Sequence, residues 1–464
     1  MSDTFCVSGG GVRSALVGLV ALHELANPVA NPKKRSADEP LEIPPSITYG
    51  LSGGAWCVLA NEVVGAQKAL ENASRYIDSM KHGLGQTFGL DVEIHLASNW
   101  KMYPYWKNYV TNFLLAMLVD HTVEKPPYSA DDDSDVAQKA REEFLLSRVS
   151  LDQTAASSNI VIGLSNTAAG TENMLVCPSP SQGRILGASS LIALSQPPVL
   201  KYTLTTGFVF HDTKEEHLHM TRLHQATISS VAYVAIGTEV REYLPALAAL
   251  LNHKGIRGLS GALVLAGHQF PATHEPEDDA ALAAAGPTLD VELFDMGIRC
   301  NIPVTPDQLR SPGTSLVVDA SNDAPGVLFE SMGTAVDWWM KQYHFIVKQA
   351  ESPSDIATLS WRGVPVTIPS TSNVLRQYVR VYKVYDEYMK PTGRTIICIT
   401  MGRIAADGTI VPAEERLVPL TTIVGGQPRV FSRAEFDLIN TEVRQFFSAV
   451  FNALGLSGGK ADTQ

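Results

Sequence analysis

The stretch that most constrains this chain is Gly50-Leu51-Ser52-Gly53-Gly54, set within Ile47-Thr48-Tyr49-Gly50-Leu51-Ser52-Gly53-Gly54-Ala55-Trp56. A short β-branched and aromatic run breaks there on glycines around a single serine, and the apolar segment Ala55 to Val64 follows as a helix. Gly50, Ser52 and Gly54 satisfy G-x-S-x-G, the spacing of a strained strand-to-helix turn that lifts a serine hydroxyl clear of a sheet. Flanking glycines remove the Cβ atoms that would clash in such a turn. The same string also describes a glycine-rich strand–helix turn with an incidental serine, so the surrounding sequence must decide.

A second turn of this kind stands at the N-terminus. Phe5-Cys6-Val7 reads as a buried strand that stops at Ser8-Gly9-Gly10-Gly11-Val12-Arg13, and Ser14 to Leu25 reads as a helix. Exposed backbone N–H groups and the positive end of a helix dipole make such a turn an anion site. A P-loop would end in Gly-Lys-Ser/Thr, which is absent. A dinucleotide fingerprint fails at its third glycine, replaced by Ser14, and no acidic residue ends a second strand at the usual distance. An oxyanion hole needs only two N–H groups near a nucleophile, and Ser52 arrives one helix and one strand later.

Composition narrows the class. At 464 residues the chain can bury a large core, and with 45% hydrophobic and 18% charged residues it is globular throughout most of its length. The formal net charge of −12 argues against a nucleic-acid partner and against simple adsorption to anionic lipid. Cys6, Cys57, Cys177, Cys300 and Cys398 are odd in number, scattered and without C-x-x-C spacing, which points to reduced core thiols of a cytoplasmic protein and to no zinc site. Met1-Ser2-Asp3-Thr4 runs straight into a strand without a basic segment, so no targeting peptide is expected. Apolar runs such as Ala15 to Leu22 fall short of the roughly 20 residues that cross a bilayer.

The remaining chain reads as an α/β alternation with insertions. Asn27 to Pro45 is a polar, proline-containing loop with Lys33-Lys34-Arg35. Asn99 to Leu118 carries Trp100, Tyr103, Tyr105, Trp106, Tyr109 and Phe113, a pattern shared by interfacial membrane helices and by ordinary core helices. Asp131-Asp132-Asp133 lies in a charged loop, and His211, His217, His219 and His224 lack metal-site spacing and read as a polar loop or helix face. Asn159 to Leu164 and Ser315 to Val318 read as strands, Pro325 to Lys348 as one long helix, Arg394 to Met401 as a strand and Ser432 to Leu454 as a terminal helix. Asp295 and Asp319 both stand at strand C-termini, where open α/β sheets place their active sites. With no internal repeat and no clean linker, residues 1–454 are expected to be one domain with cap or lid candidates at 86–140 and 205–285, followed by a frayed tail, 455–464.

Three segments in order carry a family resemblance: Ser8-Gly9-Gly10-Gly11-Val12-Arg13, Gly50-Leu51-Ser52-Gly53-Gly54-Ala55-Trp56 and Asp295-Met296-Gly297-Ile298-Arg299-Cys300-Asn301-Ile302-Pro303. Together they resemble the S-G-G-G-x-R, G-L-S-G-S-x-W and D-x-G-x-x-x-N-x-P motifs of the cytosolic phospholipase A2 catalytic domain, itself similar to the patatin-like lipid acyl hydrolases. The resemblance implies a three-layer α/β/α fold with a central, mostly parallel sheet, and a Ser-Asp dyad in place of a Ser-His-Asp triad. It makes Ser52 the nucleophile, Asp295 the base, the N–H groups of Gly10 and Gly11 the oxyanion hole, and Arg13 the cation for a substrate phosphate. Gly54 departs from the family's usual serine, and Met296 stands where a small residue is commoner.

The function this implies is a lipid acyl hydrolase of phospholipase A2 or lysophospholipase type, working through an acyl-enzyme without metal or other cofactor. Its partners would be a phospholipid or lysophospholipid and, transiently, a membrane surface touched from the cytoplasm. Competing readings are acyl transfer from the same acyl-enzyme to an alcohol, an α/β-hydrolase using a histidine, and an inactive lipid-binding protein. The α/β-hydrolase reading suffers because that fold places its nucleophile turn after several strands. Asp319 is the reserve candidate for the base, against its reading as an aspartate that caps its own turn.

Overall fold

The β-branched and aromatic segment Thr4–Val7 forms β1, fully buried, and the sheet grows outward from it on both sides. In the computed structural model the described residues are 3–26, 47–76, 113–120, 123–124, 127, 134–146, 160–166, 173–177, 209–211, 217–219, 269–271, 288–290, 293–294, 300–321, 328–350, 359–413, 417, 423–424, 427–428 and 432–456. The chain divides into two compact units, one comprising Met1–Ser74, Arg299–Leu420 and Phe431–Gln464, the other Arg75–Ile298 and Thr421–Val430.

In the first unit β1 pairs in parallel with β2 (Ile47–Leu51) on one side and with β3 (Gly313–Asp319) on the other. Val7 stands opposite Gly50 and opposite Val318, so the C-terminal ends of these three strands meet at one edge. Beyond β3 the sheet continues through β6 (Pro391–Thr400), again parallel, then turns antiparallel through β5 (Val379–Tyr385) to β4 (Ile346–Gln349). The result is an α/β unit with a mostly parallel sheet. Leu316–Val318 of β3 and Ile396–Ile399 of β6 are continuous runs of buried apolar residues, as a sheet covered on both faces requires.

Helix α1 (Gly11–Ala26) leaves the end of β1, and α2 (Gly53–Val64) leaves the end of β2. Residues Val12 through Ala21 of α1 and Gly53 through Ala60 of α2 are buried on every side, so neither helix is a simple amphipathic cover. Gly18 lets them pack closely: a Cβ there would lie 2.7 Å from both the Cys57 Sγ and a Val7 methyl. The C-terminal helix, capped by a Ser432/Glu435 capping box and carrying a π turn at Ile439–Val443, packs Phe446, Phe447, Val450 and Phe451 inward. It is tied to α1 by Arg444 Nε on Glu24, 2.9 Å.

One expected element is corrected. The helix read over Pro325 to Lys348 is instead Glu330–Tyr343, closed by His344 in the left-handed conformation, after which Ile346–Gln349 is strand β4. His344 N–H bonds back to the carbonyls of Met340 and Trp339, which ends the helix, and the β-branched pair Ile346-Val347 then joins the sheet edge. The N-terminal helix starts three residues earlier than expected, on Gly11, and the helix after Ser52 takes in Gly53 and Gly54. The tail begins with a helix-closing turn in which Gly455 and Leu456 N–H groups bond to Asn452 and Phe451 carbonyls.

The second unit, described by itself, contains helical residues 113–118, the helix Asp135–Leu146 and the strand Ile160–Asn166, paired antiparallel with Asn173–Cys177 and with Leu293–Phe294. Two short hairpins, Val209–His211 with His217–His219 and Gln269–Pro271 with Thr288–Asp290, complete its described elements. The expectations for Trp100 to Tyr109, for Asp131-Asp132-Asp133, for His224 and for most of 86–140 and 205–285 fall outside the described residues. No described helix is long and apolar enough to cross a membrane.

Candidate active site

Ser52 follows β2 directly and opens α2, with φ 53° and ψ −124°. Other non-glycine residues at positive φ, such as Phe329 (66°, 25°) and His344 (58°, 29°), sit in the ordinary left-handed basin. Ser52 does not; its backbone falls in a region that costs a serine about 1–3 kcal/mol. Serine is a favoured helix cap, yet the Ser52 side chain makes no capping hydrogen bond to α2. The strain therefore holds the side chain away from the job that local structure offers it.

The glycines around Ser52 are dictated by backbone crowding. A Cβ on Gly50 would lie 2.7 Å from the carbonyl carbon of Gly54 and 2.8 Å from Ala55 N. One on Gly54 would lie 2.7 Å from the Ser8 carbonyl oxygen. The tightest approach is at Gly53, where a Cβ would overlap the Gly11 carbonyl and come within 2.8 Å of Gly11 N. The turn at Ser52 and the N-terminal glycine turn thus pack main chain against main chain, and nothing larger than hydrogen fits between them.

The glycine turn has its own geometry. Gly10 (φ 140°) and Gly11 (φ 62°) adopt conformations that a side chain disfavours, and Ser14 N–H bonds to the Gly10 carbonyl at 3.4 Å as α1 begins. Gly10 and Gly11 are partly exposed while Ser52 is 8% exposed, so the turn forms the rim and the serine lies within it. Arg13 is 1% exposed. Its Nε donates to the Ala320 carbonyl at 2.9 Å and its Nη1 to the Leu417 carbonyl at 2.7 Å.

Asp319 ends β3, two strands from Ser52, or about 10 Å of sheet at ordinary strand spacing. It is 0% exposed and accepts hydrogen bonds from the backbone N–H of Ser321 (3.1 Å) and from its hydroxyl. Burial raises its carboxyl above the usual range, and the donors from Ser321, the nearby Arg13 charge and the Ser8 hydroxyl pull the other way. Asp319 Oδ1 caps its own strand-end turn, while Oδ2 is buried without a hydrogen-bond partner. Asp295 lies outside the described residues. Among the described residues no cluster of His, Cys, Asp and Glu has the makings of a metal site.

Two residues of the site escaped the sequence reading. Gly53 stands in the Gly50–Trp56 motif with no role of its own assigned, yet it makes the closest approach of the three glycines. Asn301 was read as part of a loop motif, yet its backbone carbonyl accepts the Gly9 N–H at 3.3 Å and its carboxamide lies over Gly9. The Asn-x-Pro spacing in Asn301-Ile302-Pro303 was the available signal.

No protein-family model matches the sequence, and a search of curated proteins finds no match. Among solved structures the chain is similar to human GIVD cytosolic phospholipase A2, with 14% identity and a TM-score of 0.44 over 98% of this chain and 61% of that one. It is also similar to that enzyme in complex with methyl gamma-linolenyl fluorophosphonate and terbium chloride (12% identity, TM-score 0.37). In both these structures and in the complex with the fluorophosphonate alone (13% identity, TM-score 0.34), the chain spans less than two thirds of the neighbour's length, 61%, 57% and 57%.

Proposed function

We propose that the protein is a serine carboxylic-ester hydrolase acting on glycerophospholipids or lysophospholipids. The observation that carries this reading is the Ser52 backbone at φ 53°, ψ −124°, strained on a strand-to-helix turn and packed against the Gly9–Gly11 turn. Strain of this kind persists only where the surrounding structure enforces it, and it clusters where a side chain must be presented.

In this reading Ser52 Oγ attacks the ester carbonyl while Asp295 takes the hydroxyl proton. The N–H groups of Gly10 and Gly11 hold the oxyanion, and collapse expels the lysolipid alkoxide, which receives that proton. Water, deprotonated by Asp295, then attacks the acyl-enzyme; collapse breaks the ester bond to Ser52 Oγ, the fatty acid leaves, and Asp295 returns the proton to the Ser52 oxygen. An ordinary aspartate is a weak base at neutral pH, so the oxyanion hole must supply much of the driving force, about 3 kcal/mol per donor. The buried charge of Arg13 lies behind the glycine turn and favours both the oxyanion and a substrate phosphate without leaving Ala320 and Leu417. The catalytic domain spans 1–454 with a three-layer α/β/α arrangement, needs no cofactor, and meets its lipid at a membrane surface from the cytoplasm.

The test is labelling by a fluorophosphonate probe on the parent chain and on Ser52→Ala, Asp295→Asn and Asp319→Asn, alongside fatty-acid release from mixed phospholipid vesicles. Labelling and release should vanish with Ser52→Ala, fall steeply with Asp295→Asn and survive Asp319→Asn. A folded parent that neither labels nor releases fatty acid refutes the hydrolase.

A further inference from the structure

A cavity of about 560 Å³ lies where β5 begins, and its wall includes Arg376, Arg380, Thr371, Ser372, Leu328 and Val374. None of the described residues that line it is acidic, and among the described residues no carboxylate pairs with either guanidinium. Both arginines are nevertheless held in place. The Arg380 guanidinium lies over the buried Phe329 ring, 4.3 Å from its centre. Burial pushes the neighbouring Tyr382 phenol up to about 12, while a hydrogen bond and the charge from Arg380 pull it back. Phe329 takes φ 66° and ψ 25°, a left-handed backbone that a bulky side chain rarely adopts and that persists only where its surroundings enforce it. Arg376 donates through Nη1 to the Val379 carbonyl, and its other nitrogens make no hydrogen bond among the described residues.

The register places this cavity relative to Ser52. Val379 stands opposite Ile399, Ile399 opposite Val318, Val318 opposite Val7, and Val7 opposite Gly50. The first residues of the antiparallel strand β5 therefore lie at the same edge of the sheet as Ser52, four strands away, or about 19 Å at ordinary strand spacing.

We propose that this cavity is an anion site for a phosphate monoester, gripped by Arg376 and Arg380, with the Thr371 and Ser372 hydroxyls as further donors and Leu328 and Val374 against the organic group. Two guanidinium charges match a phosphate monoester, which is close to dianionic at neutral pH and offers three terminal oxygens to planar donors. A guanidinium already stacked on Phe329 loses little freedom when the anion arrives. The volume exceeds what a bare phosphate fills and suits an attached organic group. The formal net charge of −12 disfavours anions over the molecule as a whole, so the affinity is local to this pair. A soluble phosphorylated compound and a phosphomonoester lipid headgroup present the same chemistry. Either would sit apart from the position read for a reacting ester at Ser52.

The experiment titrates the full chain with glycerol 3-phosphate by calorimetry and floats it with phosphatidylcholine vesicles made with and without phosphatidic acid. It compares the parent with Arg376→Gln, Arg380→Gln and Lys390→Gln, each checked for folding by its thermal transition. Lys390 precedes β6 at the opposite edge of the sheet, so it controls for charge alone. Losing one charge-assisted partner weakens binding about 10- to 100-fold. That loss is expected for Arg376→Gln and Arg380→Gln, with Lys390→Gln within about threefold of the parent. Arg376 bonds only to a carbonyl of its own turn, so Arg376→Gln gives the answer if Arg380→Gln, which uncovers Phe329, does not fold. Binding of glycerol 3-phosphate that depends on Arg376 identifies a soluble ligand. Binding seen only as extra flotation with phosphatidic acid, and lost with Arg376→Gln, identifies a headgroup. A folded parent that binds neither overturns the site, as does binding that Arg376→Gln leaves within about threefold or that Lys390→Gln weakens equally. None of these outcomes depends on the chemistry of Ser52.

Discussion

The Arg13 guanidinium bridges Ala320 and Leu417, donating through Nε to one carbonyl at 2.9 Å and through Nη1 to the other at 2.7 Å. One buried side chain in the first turn of α1 thereby braces the loop after β3 against the turn that carries Gly10 and Gly11. A planar fork can serve two acceptors at fixed angles, whereas an ammonium at the end of a flexible stem cannot reach both. Arg13→Lys is expected to strand one carbonyl and lose about 1–3 kcal/mol of stability. Urea unfolding monitored by tryptophan fluorescence checks this, and a midpoint equal to the parent's would remove the bracing role.

Two glycine-to-alanine changes should move in opposite directions. Gly53→Ala drives a methyl into the Gly11 main chain, which cannot yield without moving the glycine turn, so a loss of at least about 1–3 kcal/mol is expected together with loss of probe labelling. Gly333 lies inside the helix Glu330–Tyr343 with nothing within 4 Å of its virtual Cβ, and Gly333→Ala should gain about 0.5–1 kcal/mol. Thermal transitions of both variants decide it; a destabilised Gly333→Ala would contradict the open space at that helix position.

The contrast shows what a sequence can and cannot announce. G-x-S-x-G was legible because its glycines recur at fixed offsets around Ser52, and the strands Thr4–Val7, Ile47–Leu51 and Gly313–Asp319 were legible as short apolar runs ending in turn residues. Val379–Tyr385 was not legible as a strand because its apolar and polar residues do not alternate cleanly: Val381 and Tyr382 are adjacent and both buried, and no glycine or aspartate marks its end. The break at His344 was hidden because no glycine or proline announces it; a histidine takes the left-handed cap that glycine usually provides. Asn301 and Gly53 are tertiary facts. Each matters through a contact with the N-terminal turn, at Gly9 and Gly11, and sequence separations of that size carry no periodic signal.

Asp319 should leave a mark on the pH dependence of stability. Burial raises its carboxyl above the ordinary aspartate value, so the folded protein holds a proton that the unfolded chain releases near pH 3.9. Stability from this group is therefore present at low pH, falls as pH rises from about 3.9 through the raised folded value, and is flat beyond it. Asp319→Asn removes the titration while keeping an oxygen that accepts from Ser321. The difference in unfolding free energy between variant and parent is expected to grow in the variant's favour across that window and then level. A difference independent of pH would show that burial does not govern this carboxyl.

The cysteines give a test of the site that needs no substrate. Cys6, Cys57, Cys300 and Cys398 are all fully buried and free. Burial raises every one of these thiols, Cys6 and Cys300 to about 12, so the thiolate that alkylating agents attack is scarce at pH 8. Native protein treated with iodoacetamide should leave all four intact by peptide mass spectrometry, and all four should alkylate in urea. Cys300 adds information because it neighbours Asn301 and its thiol donates to the Ile302 carbonyl at 3.4 Å within the same loop. Its protection reports whether the loop stays seated on Gly9, through local opening if it does not. Asn301→Leu should keep Cys300 protected, since the main-chain bond to Gly9 remains, whereas rapid alkylation of Cys300 in that variant would show that the carboxamide, and not the backbone bond, holds the loop in place.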